Sequence, residues 1–295
     1  VTQLGLGPDA VDAVCRWYGE HGRDLPWRRP GTTPWGVLVS EVMSQQTPVA
    51  RVVGPWREWM DRWPTPDDLA EEEPGAAVAA WGRLGYPRRA LRLHACAVAI
   101  AERHDGVVPG RYEELLALPG IGDYTAAAVV SFAFGGRAVV LDTNVRRVIA
   151  RAHSGIGNCP VSVTRAERVV AETLVPQVDP AGWAVASMEL GALVCTARAP
   201  RCTECPIREC CRWVAEGRPD NAPPRRGQPW KGTDRQCRGV LMDVVRNASG
   251  GAPGQVGVEA EIVLSAWPQR DQAERCLAWL AEDGLVHREA DRVRL

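Results

Sequence analysis

The 295-residue sequence predicts an all-α protein, and three observations carry that prediction. Between residues 33 and 195, segment after segment repeats apolar residues at helical spacing. Several of these segments open on Thr-Pro, where Thr caps the first free amides and Pro sits where its missing N–H is not needed. No strand series of comparable strength precedes residue 230.

Taken in order, Thr33-Pro34 opens TPWGVLVSEVMSQQ, and Thr47-Pro48 opens TPVARVVGPWREWMDRW. Thr65-Pro66 starts a short helix, and PRRALRLHACAVAIAERH follows with apolar residues one helical turn apart. After GRYEELLAL comes LPGIGDYTAAAVVSF, a tight turn running straight into an Ala-rich helix that ends at Phe134. Asp142 begins the helix DTNVRRVIARAH, and SVTRAERVVAETLV and AGWAVASMELGALVC give two more. Residues 214–233, VAEGRPDNAPPRRGQPWKGT, read as a linker rich in Pro, Gly and Arg. Two helices and the hairpin-like tail VHREADRVRL, turning at Ala290-Asp291, then give residues 234–295 the order of a winged-helix module.

Composition narrows the function. With 45% hydrophobic residues the chain supports a sizeable core, and its 12 Trp against 2 Phe are expected mainly in packing. The net charge of −1 offers no bulk attraction to a polyanion, so a nucleic-acid site has to be a local patch. The basic residues are Arg, with Lys231 the only lysine. No apolar run reaches the roughly 18 residues of a membrane span. The N-terminus also lacks the basic-then-apolar pattern of a secretion signal. Both point to a cytoplasmic protein with no membrane partner.

The 10 cysteines in such a chain argue against a disulfide scaffold. Cys15, Cys96, Cys159, Cys237 and Cys276 are scattered and read as ordinary buried thiols. The remainder form Cys195-x6-Cys202-x2-Cys205-x5-Cys211, with Cys210 adjacent to the last. Four thiolates in one short loop can wrap a cubane iron–sulfur cluster. Zinc held by four Cys more often uses two separated Cys-x2-Cys knuckles, and only one is present.

This loop, lying downstream of DTNVRRV and LPGIG, resembles that of the helix-hairpin-helix DNA glycosylases with an iron–sulfur cluster. Within them the sequence is similar to the adenine DNA glycosylases of the MutY type. The motifs DLPWR (Asp24 to Arg28), SEVMSQQTPV (Ser40 to Val49), WGRLGYPRRALRLH (Trp81 to His94) and VLDTNVRRVIAR match in order, over roughly residues 10–215. The resemblance implies a two-lobed fold. A six-helix lobe would occupy 34–136, and 1–33 with 137–213 would form the cluster lobe, its 4Fe-4S cluster held by Cys195, Cys202, Cys205 and Cys211. It further implies a monomeric base-excision-repair enzyme that associates with the nucleoid and acts on double-stranded DNA carrying adenine opposite 8-oxoguanine or guanine.

Breaking an N-glycosidic bond needs an acid on the leaving base and an anion near the developing sugar cation. Glu41 sits in the apolar stretch WGVLVSEVM, where burial keeps a carboxyl protonated. By resemblance it protonates N7 of adenine. Asp142 opens a helix, which favours its ionised form, and by resemblance it stabilises the oxocarbenium-like sugar before water attacks C1′. Either residue alone also has a plainer reading, a helix cap for Asp142 and a surface ion pair for Glu41.

In LPGIG, Gly120 and Gly122 allow tight turns, and the amides that follow can receive a phosphate oxygen. Arg146 and Arg147 are candidates for further phosphate contacts. Lyase-type relatives of the endonuclease III kind carry a Lys two residues beyond this turn, whose amine attacks C1′. Tyr124 stands there in this sequence, and a phenol forms no imine. Base flipping needs a wedge and a pocket. By resemblance Gln46 and Tyr86 part the stack, Thr47 and Leu84 face the opposite strand, Leu25, Trp27 and Arg28 line the base pocket (with core packing the equal alternative for Leu25 and Trp27), and Asn144 adds a DNA contact. Ser44 and Pro87 depart from the family pattern in the strand-separating region, and 234–295 stands in place of a longer Nudix-like domain. A glycosylase for thymine or uracil opposite guanine, a bifunctional lyase, and a non-catalytic iron–sulfur DNA binder are the competing readings.

Overall fold

A computed structural model describes residues 4–219, 230–248 and 257–295. Along the chain run α1 (Pro8–His21), a 3-10 turn at Pro26–Arg28, α2 (Pro34–Ser44), α3 (Val49–Arg62), α4 (Pro66–Ala70), α5 (Pro74–Ala80) and α6 (Arg88–His104). Then come α7 (Tyr112–Leu116), α8 (Asp123–Phe134), α9 (Thr143–Ala152), α10 (Arg165–Leu174), α11 (Pro180–Leu193) and α12 (Arg212–Ala215). The C-terminal part holds α13 (Asp234–Ala248), β1 (Val258–Glu259), α14 (Ala260–Ser265), α15 (Arg270–Glu282), β2 (His287–Glu289) and β3 (Arg292–Arg294). The prediction of an all-helical body holds.

The chain forms two compact units. The first comprises residues 1–37, 110–116 and 121–225. Its core gathers Val14 of α1, Val148 and Ile149 of α9, Trp183 and Leu190 of α11, and Trp213 of α12. Gly191 lets α9 and α11 approach closely, because a Cβ there would lie 2.6 Å from the carbonyl oxygen of Asn144.

The second unit comprises residues 38–109, 117–120 and 226–295. Trp59 meets Trp63 and Trp81 edge-on, with ring centroids 4.7 and 5.7 Å apart, and all three are buried. This is one of the two geometries, edge-to-face, that aromatic quadrupoles prefer. The winged-helix order also holds in this unit. β3 pairs antiparallel with both β1 and β2, giving the sheet order β1-β3-β2, and the turn places Ala290 at φ 51.

Several local expectations change. Helices α1 and α5 were not evident from the pattern. Thr47 does not cap α3, which begins at Val49, because its hydroxyl is turned to the carbonyl oxygen of Leu84 at 3.2 Å. Thr65 does cap α4, in a reciprocal box with Asp68. Cys15 and Cys159 are only partly buried, whereas Cys96, Cys237 and Cys276 are fully so. The expected linker overlaps α12 at its start, and residues 220–229 of it lie outside the described residues. Among the described residues no helix is long and apolar enough to cross a membrane.

Candidate active site and cysteine pocket

Asp142 is the N-cap of α9, with the extended backbone (φ −82, ψ 176) that a cap requires. One carboxylate oxygen accepts the amide of Val145 at 2.7 Å, and the other accepts Nδ2 of Asn144 at 2.6 Å. Asn144 in turn accepts from Arg147 at 2.7 Å through its own oxygen. Arg147, Asn144 and Asp142 therefore form a chain in which every group has its polarity fixed. The carboxyl keeps some exposed surface but is enclosed on most sides, and this burial raises its pKa above the usual 3.8. The Val145 and Asn144 hydrogen bonds and the Arg147 charge pull the other way without prevailing. Desolvation is the largest influence on this carboxyl, whose place at the helix N-terminus favours the anion.

Glu41 lies in the second unit, on α2, and is 8% exposed beside Leu38 and Val42. Of the hairpin glycines only Gly120 requires its identity. Its φ is 76, and a Cβ would sit 2.7 Å from that of Arg92. Gly122 caps α8 in extended backbone with open space around it, so its conformation is available to any residue. Tyr124, in the first turn of α8, packs in part against a cluster that includes Ala127, Val140 and Ala184.

Two loops of the second unit carry non-glycine residues in left-handed backbone, Gln46 (φ 55) and Tyr86 (φ 50). Such conformations cost of order 1 kcal/mol or more and persist where neighbours over-determine them. The neighbour here is Arg89, which sequence reasoning missed. Its buried guanidinium donates to the carbonyl oxygens of Val42 (2.8 Å), Met43 (3.1 Å), Gln45 (2.6 Å) and Gly85 (2.9 Å), and to Oγ1 of Thr47 (3.0 Å). One side chain thus ties together the residues flanking Gln46 and Tyr86. Burial lowers its pKa to about 10, which leaves it charged at neutral pH. Gln46 and Tyr86 are exposed, while Thr47 and Leu84 are buried beneath them.

Leu25 and Trp27 are buried in the first unit, and Arg28 pairs with Glu189 at 2.9 Å. Glu189, fully buried on α11, also takes two side-chain bonds from Arg23, at 2.6 and 2.9 Å. Burial alone would raise the Glu189 carboxyl, but the Arg23 bonds and the Arg28 charge bring it below its ordinary value. Glu189 was a second residue missed, although a Glu inside the apolar run WAVASMELGAL signals it. Arg146 and Arg147 are not phosphate-facing. Arg146 pairs with Glu167 at 2.9 Å, Arg147 donates to the Gly191 and Cys195 carbonyl oxygens at 2.6 Å, and both are 8% exposed.

Cys195, Cys202, Cys205 and Cys211 line one pocket, walled by Leu190, Val194, Ile207 and Trp213. Burial, then the neighbouring thiols, push Cys205 up to about 12. Cys210 is outside this lining, and its thiol donates to the Ile207 carbonyl oxygen at 3.4 Å. Buried Arg151 reaches Cys195 Sγ at 3.5 Å while held by the carbonyl oxygens of Gly157, Thr196 and Ala197. Among the described residues no three His, Cys, Asp or Glu side chains form a ready-made ligand set for one ion.

A helix-hairpin-helix fold with a buried acid, a capped carboxylate and a thiol pocket defines a class, the DNA repair glycosylases. Residues 39–172, which include Glu41, Tyr124 and Asp142, match the HhH-GPD superfamily of base excision DNA repair proteins. Among solved structures the chain is similar to a thermostable thymine-DNA glycosylase (TM-score 0.64, 27% identity, covering 70% of this chain and 95% of that one). It is also similar to a trapped endonuclease III–DNA covalent intermediate (TM-score 0.60, 25% identity, 71% and 95%). Over 278 residues it is 49% identical to the adenine DNA glycosylase of Mycolicibacterium smegmatis, covering 94% of this chain and 92% of that protein. The chain belongs to the adenine DNA glycosylase family.

Proposed function

We propose that this protein removes adenine hydrolytically from double-stranded DNA where it is mispaired with 8-oxoguanine or guanine, leaving an abasic site. Family membership supports the base, and the observation that carries hydrolysis is Tyr124 in a chain whose only lysine is Lys231. Glu41, held in an apolar helix, delivers its proton to N7 of the flipped adenine. The C1′–N9 bond breaks with its electron pair leaving on the base. The Asp142 carboxylate, fixed by Val145 and Asn144, offsets the charge of the sugar cation. Water adds to C1′ and releases a proton. Exposed Gln46 and Tyr86 are the residues offered to the base stack, and the Gly120 turn presents backbone to a phosphate.

The thiol pocket supports an iron–sulfur cluster bound by Cys195, Cys202, Cys205 and Cys211. A four-iron cubane takes one thiolate per iron, and four thiols line this one pocket. When bound it supplies iron–thiolate bonds that shape the loop, and Arg151 offsets thiolate charge beside it.

Similarity to a thymine-DNA glycosylase favours one second reading, removal of thymine opposite guanine. A panel of duplexes bearing A:8-oxoG, A:G, T:G and U:G, each followed by alkali cleavage, separates the two. Cleavage only at T:G or U:G, with A:8-oxoG intact, refutes the adenine assignment. Strand cleavage without alkali, with borohydride trapping, refutes simple hydrolysis. Glu41→Gln should lower excision by about 10²- to 10⁴-fold, the range of general acid catalysis, while duplex binding persists.

A further inference from the structure

The C-terminal module packs in the second unit against the segment that bears Tyr86. Arg83 pairs with Asp243 at 3.0 Å, Arg88 pairs with Asp283, and Arg246 donates to the Val78 carbonyl oxygen at 3.4 Å. A Cβ on Gly75 would lie 2.9 Å from the backbone of Leu295, so α5 and the C-terminus are in close register. These contacts bracket one loop. At its tip, Tyr86 is 45% exposed and its ring lies under two guanidinium groups, that of Arg89 at 5.7 Å and that of Arg235 at 5.0 Å from the centroid.

Arg235 belongs to the first turn of α13 and also lies over Trp230, at 5.2 Å, which is 54% exposed. Among the described residues no carboxylate pairs with Arg235: its neighbour Asp234 is taken by Gln272 and Arg275. Other arginines of the module, such as Arg275 and Arg270, have acidic partners. Among the described residues, then, what holds this guanidinium between two half-exposed aromatic rings is cation–π attraction.

We propose that Arg235 is a positioning residue: it presets the Tyr86 ring for entry into the DNA base stack, so that the C-terminal module forms part of the DNA-probing apparatus. The inference rests on the glycosylase reading. Arg89 holds the carbonyl oxygen of Gly85, just before the left-handed Tyr86, and lies over one part of the ring. Arg235, reaching in from the module, adds a second contact that limits how far the ring can swing outward. A pin fixed before contact loses less freedom on entering the duplex, which favours the flipped complex.

The test uses the full-length protein with its native cofactor complement, as Arg235→Ala, Arg235→Lys, Tyr86→Ala and the Arg235→Ala, Tyr86→Ala pair. Arg238→Ala is the control, since Arg238 lies one turn further along α13 over Trp279 of the module itself. Three quantities are read: single-turnover adenine excision from an A:8-oxoG duplex, affinity for a duplex holding an abasic site by fluorescence anisotropy at several salt concentrations, and the melting temperature. Arg235→Ala should slow excision and weaken binding about two- to fivefold, the range of an exposed cation–π contact. Arg235→Lys should recover most of this, Arg238→Ala should match the parent, and melting temperatures should agree across the set. In the Tyr86→Ala background the Arg235 effect should vanish.

An Arg235→Ala variant equal to the parent overturns the proposal. So does an Arg235 effect that persists undiminished without Tyr86, or one seen only as a shallower salt dependence of binding, which indicates a phosphate contact. If the parent protein excises no adenine, the functional reading fails, and the abasic-duplex affinities alone decide the coupling.

Discussion

Replacing Asp142 by Asn changes the charge of the site and the polarity of one hydrogen bond, and the two effects can be told apart. The introduced carboxamide would keep an oxygen for the Val145 amide, now accepted at 2.7 Å, so the α9 cap survives. Its NH2 group, however, would face Nδ2 of Asn144, which now donates at 2.6 Å. Asn144 cannot flip to accommodate it without turning an amide toward Arg147. The lost bond costs about 0.5–1.5 kcal/mol. Against this, removing a carboxylate whose ionisation burial disfavours returns part of that cost. Stability should therefore fall by no more than about 1 kcal/mol, a melting shift of about 2–4 °C. The rate should fall far more, by about 10²- to 10³-fold, the loss expected when one preorganised electrostatic group is removed.

The second half of the experiment is the exchange Asp142→Asn with Asn144→Asp. In that chain Arg147 donates to a carboxylate at position 144, which accepts from the amide at position 142, which still accepts from Val145. Every donor again has an acceptor, so the melting temperature should return to that of the parent. Single-turnover excision should not recover, because the charge has moved one step away from the reacting sugar. Excision by the exchanged protein within tenfold of the parent would refute the electrostatic role of Asp142. An Asp142→Asn protein of undiminished rate would do the same.

Glu189 has a folded pKa below its ordinary 4.5, so the stability it contributes is complete above that value and is lost as pH falls through the folded one. Glu189→Gln should accordingly lower the melting temperature at pH 7 and flatten its decline in acid, whereas a decline parallel to the parent's would exclude the Arg23–Glu189–Arg28 cluster as its source. Cys210→Ser should retain iron and sulfide in the purified protein while Cys211→Ser loses them, because only Cys211 lines the pocket; the reverse pattern would assign the fourth ligand to Cys210. Arg89→Lys should destabilise by about 3 kcal/mol or more, since an ammonium cannot reach five acceptors and charged hydrogen bonds contribute about 1.5–3 kcal/mol each; a melting temperature equal to the parent's would show that the two loops hold without the clamp.

Most of the helical body was legible because its signals are local. Thr-Pro at 33–34 and 65–66 gives both a cap and a stop to extended chain, and the structure starts α2 and α4 there. The third such pair, at 47–48, misled by one residue because the hydroxyl of Thr47 is engaged by Leu84 and Arg89, partners outside any sequence window. Helix α1 escaped notice for a related reason. Its buried face comprises Ala10, Val11 and Val14, a narrow stripe whose packing depends on α11. In the module, the hairpin turn at Ala290 was legible, while β1 was not, since two residues become a strand only by pairing with β3.

The same distinction divides the candidate site, and it explains which of its residues a sequence can yield. A buried acid such as Glu41 leaves a local trace, a charge among Val37, Leu38, Val42 and Met43, and a helix-opening Asp142 leaves another. The pairings that fix loops and buried charges leave none, even where one partner, such as Glu189, is itself conspicuous. Glu189 meets Arg23 across 166 positions, Arg89 meets Val42 across 47, and Arg147 meets Cys195 across 48. In each case a guanidinium bonds several carbonyl or carboxylate oxygens, and its fork geometry is what makes it suitable. In a chain with one lysine and an abundance of arginine, that geometry recurs wherever a loop must be fixed: at Gln46 and Tyr86 by Arg89, at the cysteine loop by Arg151, and at the start of α9 by Arg147. Carboxyl and thiol side chains thus mark the chemistry of this enzyme, and buried arginines supply its rigidity.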